Sequence, residues 1–210
     1  MLSKTKVNKT NILNLTQHKT FTRLTGTSNW SVEELTEMYK SIELTTAKNC
    51  VREFIFRFLN NCLPINTRTS HFVDNVDRSC TFCILSLGAR FYGPAPEETF
   101  IHLFLNCPIV QNILDRFMTD FIGMTMPLQD NLVKKYLFQG DQLENSSFNL
   151  FNSWTRWILL YLIWSAKCRK RIFSWLTFRK DFLYELNMLL ENSPAIEMAR
   201  LKTNTPMARE

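Results

Sequence analysis

Glycine and proline are scarce in this 210-residue chain, at five and seven, which excludes a collagen-like repeat or a linker-dominated protein. Long apolar runs are missing as well. The longest, Trp157 to Trp164, has eight residues, against the ~20 that a membrane helix requires, so no membrane partner is expected. Behind the basic opening, Met1 to Lys9, comes polar sequence rather than an apolar stretch, and no secretory signal is expected. The expected setting is therefore intracellular, nucleus or cytoplasm, where the six cysteines are thiols or metal ligands rather than disulfides. No Gly-rich phosphate loop occurs, and no Ser-His-Asp or Cys-His catalytic arrangement has supporting spacing.

Acidic residues are absent from two long segments. Residues 1 to 30 hold five basic side chains and no acid, and residues 156 to 180 hold seven and no acid. The stretch between them has ten basic and fourteen acidic residues, and 181 to 210 has three and five. The formal net charge of +6 is thus concentrated in two segments around a mildly acidic middle. Such segments suit a polyanion, because each cation that neutralises a phosphate releases counterions. Against these scarcities stands an abundance of hydrophobic positions, 45% of the chain with seventeen Phe and five Trp. That is ample for a buried core and incompatible with wholesale disorder.

Residues 1–29, rich in Thr, Asn and Lys without a sustained period, read as a mobile basic arm. Ser31 with Glu34 forms a capping-box signature, with Trp30 placed to staple against Leu35. Val32, Leu35, Met38, Tyr39 and Ile42 then follow helical spacing. A second helix is expected from Thr46 to Leu63, stopped by Pro64, with Cys50 and Cys62 as buried thiols in its apolar face. Periodicity breaks between Asn66 and Pro96. Helices are expected again over Glu97–Asn106, Pro108–Ile122 and Leu128–Phe138. Trp154, Trp157, Tyr161, Trp164 and Cys168 mark an apolar stripe, read as core, and Phe178, Phe182, Leu186, Met188 and Leu189 continue the pattern. The expected fold is mainly α, bundle-like, with an inserted Cys-Cys-His-Cys knuckle and a long loop. Its expected divisions are 30–125, the helices with the knuckle, 126–192, a basic and aromatic helical tail, and 193–210, a disordered C-terminus.

The chemistry concentrates in Cys80-x2-Cys83, followed by His102 and, five residues on, Cys107. A lone Cys-x2-Cys also suits a redox pair. The added Cys and His favour zinc, for which three thiolates and one imidazole complete a tetrahedron, and four protein ligands leave no position for a catalytic water. Five residues of continuing α-helix would put Cys107 about 140° around from His102. Pro108 biases Cys107 out of helical dihedrals, so the helix should end there and let the sulfur turn back. Glu98, one turn before His102, is expected to accept the second imidazole N–H. Asp74 and Asp77 read as solvated loop residues, His71 as a surface or packing residue, and His18 has no partner. Lys167, Arg169, Lys170 and Arg171 place four cations in five residues and are the expected phosphate contacts.

The order Phe54-Ile55-Phe56-Arg57, Asn61-Cys62-Leu63-Pro64, Asn66-Thr67-Arg68, Cys80-x2-Cys83, Glu98-Thr99, His102-Leu103-Phe104 and Cys107-Pro108 resembles the zinc-binding domain downstream of the reverse transcriptase in LINE-type non-LTR retrotransposon polyproteins. The segment Tyr161-Leu162-Ile163-Trp164-Ser165-Ala166-Lys167 resembles the helical tail of the same proteins. The resemblance spans roughly residues 30 to 190. It implies that Cys80, Cys83, His102 and Cys107 bind one structural zinc ion and that the domain engages RNA or single-stranded DNA, with the parent polymerase domain as a second partner. Two departures stand out. Ile84 to Pro96 is an insert where the family usually has a short turn, and its Arg90, Phe91 and Tyr92 are candidates for contacting a strand. No Tyr-x-Asp-Asp-like polymerase motif occurs, so the chain reads as a C-terminal fragment, a decayed copy or a repurposed tail and is not expected to be an enzyme. The alternative is a protein-interaction module that docked on the missing polymerase without binding nucleic acid.

Overall fold

The computed structural model describes residues 48–60, 62–86, 94–122, 137, 146–172 and 174–192. The basic arm, the capped segment at Ser31, the candidate strand contacts Arg90, Phe91 and Tyr92, and the tail beyond 192 lie outside these residues. Of the helix expected over Leu128–Phe138 only the buried Leu137 is described. Among the described residues the fold is mainly α, without a strand. The helices are α1 (Asn49–Leu59), α2 (Asn66–Thr69), α3 (Thr81–Ser86), α4 (Pro108–Phe117), α5 (Ser146–Cys168) and α6 (Trp175–Asn192). Two π-helical turns join them, His102–Asn106 and Met118–Ile122. The chain divides into two compact units between Cys62 and Leu63.

In the first unit, α1 buries Val51, Phe54, Ile55, Phe58 and Leu59, a stripe at offsets of three and one. Its exposed side carries a Glu53–Arg57 pair at 2.6 Å, one turn apart. The helix ends at Leu59, short of the expected Leu63. The Asn60 side-chain amide donates to the Phe56 carbonyl at 2.7 Å and competes with further helix. Cys50 and Cys62 are exposed, which corrects the expectation that both are core thiols. Cys50 lies in the first turn, before the buried stripe begins, and Cys62 lies past the last helical residue.

The second unit packs α4 and the turn after it against α6 through aromatic rings. Phe117 meets Phe182 edge-on at 5.2 Å, and Phe121 approaches Phe182 at 4.8 Å and Trp175 at 6.1 Å. Such pairs contribute about 0.5–1.5 kcal/mol each beyond area burial. Pro108 occupies the first turn of α4, where its missing N–H costs nothing. Helix α5 is buried without a break from Trp154 to Leu160, so its centre is core on every side rather than along one stripe. Tyr161 and Trp164 are half-buried and Cys168, at the helix end, is exposed, correcting its placement in the core.

Helix α5 stops in a Schellman motif. Lys170 takes a left-handed φ of 50°, its N–H bonds the Lys167 carbonyl at 3.0 Å, and the Arg171 N–H bonds the Ala166 carbonyl at 3.0 Å. A lysine at a position that favours glycine carries strain. Lys170→Gly is therefore expected to raise the unfolding free energy by about 0.5–1 kcal/mol. Phe182→Ala should lower it by about 3–5 kcal/mol, while Leu176→Ala, at a side chain 76% exposed, should stay within about 0.5 kcal/mol. Urea denaturation of the full chain measures all three.

Candidate metal centre

The loop between α2 and α3 folds back on the strand-like segment before His102. Ser79 and Glu97 form an isolated antiparallel bridge, with the Cys80 N–H on the Pro96 carbonyl at 2.8 Å and the Glu98 N–H on the Arg78 carbonyl at 2.7 Å. This pairing holds Glu97 in the bridge and Glu98 outside any helix, so the helix expected from Glu97 begins instead at Phe100. Thr99 caps it. Its hydroxyl accepts the His102 N–H at 3.0 Å, the third helical position, and its carbonyl accepts the Leu103 N–H at 2.9 Å. Asp77 stabilises the approach to Cys80 by accepting the Ser79 N–H at 2.9 Å, and that bond holds its carboxyl below the ordinary aspartate value.

His102 and Cys107 are then brought onto one side by a backbone device that spacing alone does not reveal. The Cys107 N–H bonds the His102 carbonyl at 2.7 Å, an i→i+5 closure, and the segment His102–Asn106 is π-helical. Widening the turn to five residues removes most of the offset that an α-helix would impose. Cys107 itself is extended, with φ −67° and ψ 123°, and Pro108 starts the next helix, as its chemistry predicts.

Cys80, Cys83, His102 and Cys107 converge, with all four donor atoms within 4.8 Å of one another. Cys107 Sγ lies 3.9 Å from Cys80 Sγ and 3.8 Å from Cys83 Sγ, and Cys83 Sγ lies 3.4 Å from His102 Nε2. A tetrahedral ion with metal–sulfur bonds of about 2.3 Å has S···S edges of about 3.8 Å, which the two Cys107 sulfur distances match. The three cysteines are buried and the histidine half-buried. Without a cation, crowding opposes ionisation. The Cys107 thiol and burial push Cys80 up to about 12, and burial followed by the charge of Cys80 pushes Cys83 up to about 11. A bound cation inverts that balance, because a coordinated thiol gives up its proton. The cluster can hold a metal ion.

Glu98 does not serve His102. Its carboxylate is fully buried and engaged elsewhere: Oε1 accepts the Asn66 N–H at 2.9 Å and pairs with Lys167 Nζ at 3.2 Å, while Oε2 accepts the Thr81 N–H at 2.9 Å and the Thr81 hydroxyl at 2.8 Å. Asn66 and Thr81 are the first residues of α2 and α3, so one carboxylate meets two helix N-termini. Asn66 adds a side-chain bond to the Ser79 carbonyl at 2.8 Å, and the Thr67 hydroxyl donates to the Glu98 carbonyl at 2.8 Å. Asn66 and Thr67 fall in the Asn66-Thr67-Arg68 run that carries part of the resemblance, while nothing in the sequence singled out Thr81.

Lys167 is corrected for the same reason. It is 8% exposed, donates to the Pro64 carbonyl at 3.0 Å and lies over the Trp164 ring at 4.8 Å. It belongs to the interior with Glu98 and is not placed to touch a phosphate. Arg169, Lys170 and Arg171 are exposed, Arg171 pairing with Asp181 at 3.2 Å. Among the described residues no helix is long and apolar enough to cross a membrane. No family model, curated protein or solved structure matches the chain.

Glu98→Ala leaves Lys167 buried without its carboxylate and is expected to cost about 3–5 kcal/mol in urea denaturation. Pairing Glu98→Gln with Lys167→Met removes both charges and should recover much of that loss.

Proposed function

We propose that the chain is a zinc-dependent nucleic-acid-binding module that binds single-stranded RNA or DNA and performs no chemistry of its own. Zinc is the preferred ion because the donor set is three sulfurs and one imidazole whose atoms lie within 4.8 Å of one another. Cys80, Cys83, His102 and Cys107 would hold it, and its contribution would be structural, fixing the loop before α3 to the turn before α4. With four protein donors, a tetrahedral ion has no open position for a water or substrate.

The nucleic-acid part of the reading rests on how the acid-free segment is displayed. Of its seven cations, Arg156 and Lys167 are buried, while Arg169, Lys170, Arg171, Arg179 and Lys180 are exposed around the end of α5 and the start of α6. Interior cations answer to packing, but five surface cations close together in sequence present a positive edge of the kind phosphates neutralise. The resemblance to the retrotransposon zinc-binding domain points the same way, and on that reading the chain derives from the C-terminal region of such a polyprotein. The competing reading, a module that docks on a polymerase domain, draws on Phe72 and Val73, which stand exposed in the loop before the knuckle. It predicts no intrinsic affinity for nucleic acid.

Fluorescence anisotropy with a labelled single-stranded RNA separates the two. The zinc-loaded chain should bind at low salt, and changing Arg169, Lys170 and Arg171 together to Ala should weaken binding. The same change should flatten the slope of log K against log salt by about 1.4, because Arg171 is already paired with Asp181 and each phosphate neutralised by the other two on a single strand accounts for ~0.7 of that slope. Absence of binding at low salt contradicts the proposal.

A further inference from the structure

A short relay of bonds connects the ammonium of Lys167, on α5, to the loop that carries the cysteine pair. Nζ lies 3.2 Å from Glu98 Oε1 and donates to the Pro64 carbonyl at 3.0 Å. On the other side of the same carboxylate, Oε2 accepts the Thr81 N–H at 2.9 Å and the Thr81 hydroxyl at 2.8 Å. That N–H belongs to the peptide bond joining Thr81 to Cys80. At the far end of the relay the Lys167 carbonyl accepts the Lys170 N–H at 3.0 Å, which helps hold the turn bearing the exposed Arg169 and Lys170. We propose that metal binding at the cluster and the seating of α5 are linked through this relay, with Lys167 as a positioning residue for an ion it does not ligate. The proposal rests on the metal part of the reading above and adds a route by which the ion governs how firmly the basic turn is held.

Two sites are linked when an element between them favours one arrangement and each site favours the same one. The Glu98 carboxylate is such an element, because its two oxygens serve different partners: Oε2 faces the peptide after Cys80, and Oε1 faces Lys167. Lys167 is 8% exposed and Glu98 is fully buried, so pulling them apart strands a charge on each side. If α5 withdraws, the carboxylate loses its cation, and the bonds that fix Thr81 beside Cys80 are the ones its search for new donors disturbs. The converse also holds. Fixing the sulfurs of Cys80 and Cys83 around an ion fixes Thr81 between them, and so holds the carboxylate where Lys167 meets it. Charge acts in the same sense. A divalent ion with three thiolates and a neutral imidazole leaves an anionic centre, beside which Glu98 is a further negative charge and Lys167 the compensating one.

Hydrogen exchange of the full chain, followed by mass spectrometry with one equivalent of zinc and after its removal by a chelator, tests the link. Zinc should slow exchange in residues 160–168, the last turns of α5, by about tenfold, an ordinary strength of coupling. Glu98→Gln paired with Lys167→Met removes both buried charges, and this variant should still bind zinc in competition with a chromophoric chelator. In it, zinc should change exchange of 160–168 by less than about twofold, because the relay is cut. Lys167→Met alone strands the carboxylate and should weaken zinc binding by about tenfold, most of which the double variant should recover. Protection of 160–168 by zinc that is equal in wild type and double variant, or absent from wild type, overturns the link while the metal site stands. Failure of wild type to take up zinc removes both.

Discussion

The Glu98 carboxylate is fully buried and meets the first N–H of α2, the first N–H and hydroxyl of α3, and the ammonium of Lys167 from α5. Burying an isolated carboxylate is costly in the extreme, and burial becomes tolerable only when charge and lone pairs are matched in place. Two helix N-termini and one lysine provide that match. The consequence is geometric. The residue that satisfies Glu98 from one side, Thr81, follows Cys80, and Glu98 itself lies four residues before His102, so satisfying the carboxylate places both halves of the Cys-Cys-His-Cys cluster.

The same interaction ties the knuckle to the tail helix. Lys167 reaches Glu98 and the Pro64 carbonyl at once, with its charge over Trp164, so α5 is held to the loop that opens the second unit. From there the chain leaves α5 through the strained Lys170 and returns along α6. The exposed cations are therefore carried on elements joined, through Lys167, to the buried carboxylate. A cluster that can hold a metal ion, a buried ion pair and a set of exposed cations form one connected arrangement.

Much of this was legible in the sequence, and the parts that were not share a cause. Which four donors cluster followed from residue type and spacing, because few side chains bind a tetrahedral ion and Pro108 marks where the helix must yield. The π-helical turn was hidden, since it depends on which carbonyl the Cys107 N–H chooses and no residue type encodes that choice. Glu98 one turn before His102 suggested a bond to the imidazole. The non-helical backbone after the Ser79–Glu97 bridge sets it against the first residues of α2 and α3 instead. Counting charges grouped Lys167 with Arg169, Lys170 and Arg171, yet the helix turns Lys167 inward and leaves the others outside. Cys50, Cys62 and Cys168 matched the apolar pattern but stand at or beyond helix ends, where periodicity no longer predicts burial.

The central claim is that Cys80, Cys83, His102 and Cys107 close a four-coordinate metal site. Cobalt(II) substitution of the full chain tests it most directly, because the absorption spectrum of the ion reports both coordination number and thiolate ligation. The account predicts one equivalent of cobalt with the intense d–d bands of a tetrahedral site and thiolate-to-metal charge transfer, both abolished in Cys107→Ser or displaced by one equivalent of zinc. Weak bands of five- or six-coordinate cobalt, or no stoichiometric binding, would contradict it.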